Sequence, residues 1–196
     1  VRFIGNRSSG RMGWALAFAA WTRGAEVTVI LGFSDVPPPP QVTTVNAPTA
    51  SLMHKAVLEH LPDCDIFISA AAVADYRPAE TSSVKRKRSS DPWSVTLVPN
   101  PDILSEAAAR TKPGQILVGF AAETEDPVSR GIEKRKSKGV NLILANTVGG
   151  DYDAIGSDSA EAWIIGPRDE VTPLERANKI TIADRLLDAC LTVSHP

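Results

Sequence analysis

Short β-branched runs alternate along the chain with longer stretches whose apolar residues recur every three or four positions, as in parallel strands joined by helical crossovers. Residues 9–23 place Met12, Leu16, Ala19 and Ala20 at helical spacing and stop at Gly24, a residue suited to the left-handed turn that ends a helix. Residues 26–31 read as a buried strand. Pro37-Pro38-Pro39-Pro40 cannot enter a sheet interior, because proline has no N–H to donate, and it leads into a short strand at 42–45. Thr49 is placed to cap a helix running to about Leu61. Residues 65–70 are apolar almost throughout, as a central parallel strand should be.

Asn100-Pro101-Asp102 sets a capping side chain, a proline and an early carboxylate in order, which predicts a helix to about Arg110. Strands are expected at 115–121 and 141–145 with a basic helix at 126–137 between them. Residues 162–165 and 170–172 flank Gly166-Pro167-Arg168-Asp169 as a hairpin, and an amphipathic helix at 176–191 closes the chain. The expected fold class is therefore α/β: a three-layer, Rossmann-like, doubly wound and mainly parallel sheet, at least five strands wide, with a C-terminal hairpin. Residues 77–92, polar and rich in Ser, Lys and Arg, are too long for an ordinary connection and read as a strap loop.

Composition narrows the function. A chain of 196 residues with 43% hydrophobic and 22% charged residues suits one globular domain. Twenty-one Lys and Arg against 23 Asp and Glu give a net charge of −2, so no global basic field is available for a nucleic acid or an anionic membrane. Any phosphate binding must come from a local site. The longest apolar runs fall far short of the roughly 20 residues that span a bilayer. No secretory leader opens the sequence, and a first residue of Val1 rather than Met leads us to expect further chain upstream. Cys64 and Cys190 form no CxxC, and His54, His60 and His195 show no ligand spacing, so neither a zinc site nor a disulfide is expected. The cysteines read as free thiols of a reducing cytoplasm, His54 and His60 as members of a solvated helix face.

Two segments carry candidate chemistry. Gly5-Asn6-Arg7-Ser8-Ser9-Gly10-Arg11-Met12 nearly spells a phosphate loop, but Arg11 and Met12 stand where a Walker loop needs Lys and Ser or Thr. GxGxxG is absent as well. What remains is a set of backbone N–H groups at Ser8, Ser9 and Gly10, suited to an anion at a helix start or simply part of a well-capped helix; Gly10 and Gly13 would allow that helix a close approach. The second segment, Ala70-Ala71-Ala72-Val73-Ala74-Asp75-Tyr76-Arg77, follows the third strand, where open α/β sheets bind ligands. Its small side chains leave room for a flat ring. Asp75 is a ligand-facing carboxylate or a turn residue; Phe120 is a stacking wall or ordinary core. Lys134 and Lys138 share a helical face and repel unless an anion sits between them. Lys85-Arg86-Lys87-Arg88 is either a solvated face or a strap that closes over polyphosphate.

In order along the chain, Asn6-Arg7-Ser8-Ser9-Gly10-x-Met12-Gly13, Ala71-Ala72-Val73-Ala74-Asp75-Tyr76-Arg77, Lys85-x-Lys87, Asn100-Pro101-Asp102-Ile103-Leu104 and Val118-Gly119-Phe120-Ala121-Ala122-Glu123-Thr124 resemble bacterial phosphopantothenoylcysteine synthetase, the phosphopantothenate-cysteine ligase family of coenzyme A synthesis. The resemblance runs from Val1 to about Asn146. It implies that Ser69, Ala70, Ala71, Asp75, Lys85, Pro101, Asp102, Ile103, Leu104, Phe120, Lys134 and Lys138 surround CTP. It also implies that Asn6 and Lys85 carry catalytic roles, and that Asn6, Arg7, Ser8, Ser9, Gly10 and Ala72 meet phosphopantothenate. Implied with these are Mg2+ travelling with CTP, cysteine as second substrate, a homodimer, and an FMN-dependent decarboxylase domain upstream in many relatives, the only place FMN would enter. The strap here reads Lys-Arg-Lys-Arg where that family usually has Lys-Ile-Lys-Lys. The competing readings are an NAD(P)-dependent oxidoreductase with Asp35 as ribose acceptor, which lacks a glycine fingerprint, and a nucleic-acid module using residues 85–88, which lacks interleaved aromatics.

Overall fold

The computed structural model describes residues 3–82, 84–85, 87–88, 90, 92–149 and 156–194. In chain order the elements are α1 (Arg11–Thr22), β1 (Thr28–Leu31), β2 (Thr43–Asn46), α2 (Ala50–His60), a short 3-10 turn (Leu61–Asp63), β3 (Ile66–Ile68), β4 (Tyr76–Pro78) and β5 (Leu97–Pro99). There follow α3 (Ile103–Ala109), β6 (Ile116–Glu123), α4 (Pro127–Lys138), β7 (Leu142–Thr147), β8 (Ser159–Ile165), β9 (Val171–Asn178) and α5 (Lys179–Ser194).

The central sheet runs β3-β6-β7-β8-β9. β3, β6 and β7 are parallel, and β8 and β9 are added antiparallel through the expected hairpin. β1 and β2 pair in parallel but as a separate two-stranded unit, so the single wide sheet expected from the pattern is divided. Among the described residues β1 and β3 are each paired on one edge only, and strands without a backbone partner between them cannot join.

β6 shows why three layers form. Ile116 and Val118 lie in one apolar cluster with Ala15, Leu16 and Ala19 of α1 and Ile182, Ala183 and Leu186 of α5. Leu117 and Ala121, pointing the other way, join Met53 and Val57 of α2 and Ile103, Leu104 and Ala107 of α3. The alternation of a strand buried on both faces thus assigns α1 and α5 to one side and α2 to α4 to the other. Cys190 is wholly buried, which pushes its thiol up to about 12, and burial also raises Cys64; both are free thiols, as expected.

Three local expectations need correction. Residues 176–178 belong to β9, not to the last helix, because Ala177 and Asn178 pair with Ala160 and Ser159. The helix after Asn100 starts at Ile103 with Asp102 as its cap, accepting from the Ser105 N–H at 3.1 Å; Asn100 has another partner. The strap is not all loop: β4 and β5 form an antiparallel ladder, Tyr76 opposite Pro99 and Pro78 opposite Leu97, which pins the base of this arm.

Gly131 lets α4 lie flat on the sheet, since a Cβ there would come within 2.2 Å of Ile165 Cδ1 and 3.3 Å of Ala145 Cβ. Gly13 needs no such explanation, because a Cβ there meets nothing within 4 Å among the described residues, and the close approach expected of it is not seen among them. Helix propensity favours Gly131→Ala by up to about 1 kcal/mol, whereas overpacking costs about 1–3 kcal/mol. The substitution is expected to lower the thermal midpoint by several degrees, and an unchanged or raised midpoint in calorimetry would contradict this packing.

Candidate functional site

The carboxyl ends of β3, β6 and β7 share one rim of the sheet, and the segment leaving β3 forms its centre. Ser69 N–H donates to the Val118 carbonyl at 2.9 Å, which prolongs the β3–β6 pairing. Beyond it Ala71, Ala72 and Asp75 are exposed, while Val73 packs against the cluster of α2 and α3. Asparagine amides add to that hold. Asn6 Nδ2 donates to the Val73 carbonyl at 3.1 Å from one side. From the other, Asn100 Nδ2 donates to the Ala74 carbonyl at 2.8 Å and Asn100 N–H to the Asp75 carbonyl at 2.7 Å. The Arg77 guanidinium donates to Asn100 Oδ1 at 3.2 Å and also to the Pro99 carbonyl.

Beside this shelf stands a group of charges. Lys138 forms an ion pair with Asp102, so the anion that relieves one of the two expected lysines comes from the chain itself. Burial disfavours the Asp102 carboxylate, but donation from Lys138 and Ser105 outweighs it and holds the carboxyl below its usual range. Lys134 is half-buried, and burial pushes its ammonium below the ordinary lysine value. Glu123, Asp75 and Asp102 lie within electrostatic reach and oppose that shift, while Lys138 adds to it. Thus Asp75, Asp102, Lys134 and Lys138 share one neighbourhood.

The other predicted residues fall less neatly. Ile103 and Leu104 are buried in the core between α3 and the sheet, which leaves only their backbone for a ligand. Phe120 packs partly buried against the α1–α5 cluster. Lys85 is exposed on the arm and forms no ion pair with a described residue; Arg86 lies outside the described residues. At the start of α1 the Ser8 and Ser9 hydroxyls turn back toward the N–H groups of Gly10 and Arg11 at 3.4 and 3.5 Å, a local cap that partly answers the donors expected to be free. Gly10 is required there: its φ is 73°, and a Cβ would sit 1.9 Å from Ser34 Oγ. Arg7 is exposed. His54 is not solvated as expected but half-buried, 2.5 Å from Glu106, tying α2 to α3. His60 donates to the Ala56 carbonyl at 2.9 Å within its own helix, and His195 lies outside the described residues.

Two participants escaped the sequence reading. Asn100 was read as a cap, yet Asp102 and Ser105 already had cap spacing. Glu123 was only part of a motif; the alternation of Leu117, Gly119 and Ala121 toward α3 and α4 places it on the Lys134 side.

Residues 1–193 match the DNA/pantothenate metabolism flavoprotein C-terminal domain family. The chain belongs to this family. Among curated relatives, the Coenzyme A biosynthesis bifunctional protein CoaBC of Escherichia coli K12 is 40% identical over 198 residues, covering 98% of this chain and 48% of its own length. A chain named cysteine/cysteine sulfinic acid decarboxylase, from an unknown prokaryotic organism, is 38% identical over 196 residues, covering 100% of this chain and 55% of that one. The crystal structure of the C-terminal domain of Coenzyme A biosynthesis bifunctional protein CoaBC superposes with a TM-score of 0.81 at 32% identity, over 100% of this chain and 89% of that one. The chain spans about half the length of these curated relatives. Its mixed α/β fold is that of the family, and the resemblance read from the motifs is correct.

The Asp102 pair gives a pH signature. Because its folded carboxyl titrates below the unfolded value of about 3.9, the pair stabilises the fold fully above that value and loses its effect as the pH falls through the lower, folded one. Asp102→Asn should therefore unfold at lower urea concentration than the parent near neutral pH, with the gap closing as the solution is acidified below about pH 3.9. A gap independent of pH would mean that the charge pair contributes nothing.

Proposed function

We propose that this chain is a CTP-dependent phosphopantothenate-cysteine ligase domain. The observation that carries the reading is the clamped shelf of residues 69–75, with Asn6 on one side and Asp75, Asp102, Lys134 and Lys138 on the other. Family membership adds coenzyme A biosynthesis as the setting, since relatives such as that of Escherichia coli are named for it.

In this reading a carboxylate oxygen of phosphopantothenate attacks the α-phosphorus of CTP, the bond to the β-phosphate oxygen breaks, and pyrophosphate leaves. The acyl cytidylate so formed is attacked at its carbonyl carbon by the cysteine amine. CMP departs, the amine gives up a proton, and an amide remains. The first step brings anions together, so it requires cations. Lys134 and Lys138 supply two of them in this reading, and Lys138 exchanges Asp102 for phosphate. Lys85 arrives with the arm, whose base is pinned by β4 and β5. Magnesium enters as the counterion of CTP; no group of three or more His, Cys, Asp or Glu side chains fit to hold a metal occurs among the described residues. The open alanines of the shelf take the base, with Asp75 accepting from it or from the sugar.

Asn6 serves the second step. Its amide reaches the shelf carbonyl already, and it can donate to the acyl oxygen as negative charge develops there; removing one such donor typically costs about 10²- to 10³-fold in rate. A homodimer completes the reading. The arm and its base expose Tyr76, Trp93 and Leu97, and Lys85 as well, apolar and cationic groups suited to a second copy. Free thiols fit a reducing cytoplasm.

The deciding assay measures pyrophosphate from each nucleoside triphosphate with phosphopantothenate, with and without cysteine. CTP should give pyrophosphate without cysteine, and CMP should require it. Asn6→Asp should still release pyrophosphate but stall before CMP, whereas Lys85→Gln should slow pyrophosphate release itself. Unimpaired CMP release by Asn6→Asp would remove that assignment, and a hydride transfer from NADPH would replace the whole reading.

A further inference from the structure

Arg77 is an exposed cation next to the shelf, and the reaction described above gives it no part. Its place in the β4–β5 ladder explains where its side chain goes. Arg77 lies opposite Val98. Asn100 comes two residues after Val98, hence on the same face and at the diagonal position that a long side chain can reach. The guanidinium takes that diagonal, donating to Asn100 Oδ1 at 3.2 Å and to the Pro99 carbonyl as well. A planar fork serves two oxygens at once, whereas a lysine ammonium is a single mobile point.

This contact decides how the Asn100 amide sits. A carboxamide can turn over, exchanging its oxygen for its NH2. With a guanidinium on one side and the Ala74 carbonyl on the other, one orientation alone makes both bonds: Oδ1 toward Arg77, and Nδ2 toward Ala74 at 2.8 Å. The turned-over amide would set NH2 against a cation and oxygen against oxygen. Asn100 N–H, meanwhile, donates to the Asp75 carbonyl at 2.7 Å. The two carbonyls held in this way belong to the peptide units on either side of the Asp75 Cα. With both planes anchored, φ and ψ of Asp75 are fixed, and with them the direction of its Cα–Cβ bond. Asp75 is exposed, so its direction comes from this backbone rather than from packing around the carboxylate.

We propose that Arg77 is a positioning residue of the nucleotide site, acting through Asn100 to aim the Asp75 carboxylate at the base or the sugar. The assignment rests on the ligase reading and adds to it two residues that need touch no substrate. Arg77→Ala should raise the KM for CTP about 2- to 10-fold, the range that one hydrogen bond spans, with the KM for phosphopantothenate and the thermal midpoint little changed. Arg77→Lys should recover part of the loss. Asn100→Ala should raise the KM for CTP at least as far. Asn100→Asp keeps an acceptor for Arg77 but turns an oxygen toward the Ala74 carbonyl, so it should recover nothing.

The double variant tests the route. Arg77→Ala should have no further effect on the KM for CTP once Asn100→Ala is present, because the amide it works through is gone. Calorimetric titration with CTP and magnesium should repeat the pattern without turnover. Fully additive effects would mean that Arg77 meets the nucleotide itself, and an unchanged KM in Arg77→Ala would mean that it does not act on the site. Equal losses for CTP and phosphopantothenate, with a lowered thermal midpoint, would mark a general structural role. Any of these, in a parent protein that releases pyrophosphate from CTP, overturns the assignment alone. Absence of pyrophosphate from the parent with every nucleotide would remove the ligase reading and this assignment with it.

Discussion

Hydrogen bonds from two asparagine amides to three consecutive carbonyls, those of Val73, Ala74 and Asp75, set the geometry of the site. In the segment they hold, Val73 packs against the cluster of α2 and α3, while Ala71, Ala72 and Asp75 are exposed and leave space for a ligand. Each such bond contributes only about 0.5–1.5 kcal/mol net, so their effect is to choose one path for the backbone rather than to stabilise the fold greatly. The arm inherits that path, because β4 begins at Tyr76, directly after the clamp, and Asn100 follows β5 on the return. One residue thus fixes both the floor of the site and the root of the element that carries Lys85.

The charges around the shelf are only loosely held. The exposed pair of Lys138 with Asp102 contributes about 0–1 kcal/mol, so it opens at little cost. What the pairing does is hold the lysine in one orientation, which lowers the ordering cost of any later contact. Lys134 differs in being half-buried among carboxylates, where its charge is less screened by water.

Much of this was legible because strand alternation and helix punctuation are local. Residues 115–121 announced a strand, and the hairpin around Gly166 to Asp169 was found by its turn residues. Local signals also misled. Arg176 to Asn178 had helical character, yet pairing with β8 claims them; β4 and β5 carry no strong strand signal and form because the clamp brings them side by side. Asn100 before a proline looked like a cap, and its real partners are 25 and 26 residues away in sequence, at Asp75 and Ala74.

By itself the order of residues determined the layer architecture, the family and the motif residues, since periodicity and motif spacing are properties of the chain alone. Only the folded structure decided that Lys138 pairs with Asp102, that Glu123 comes within electrostatic reach of Lys134, that Phe120 leans on the core, and that α1 and α5 open a cavity together. Each of these depends on which faces of distant elements meet, and that is settled by packing and backbone pairing over the whole sheet rather than within any window of sequence.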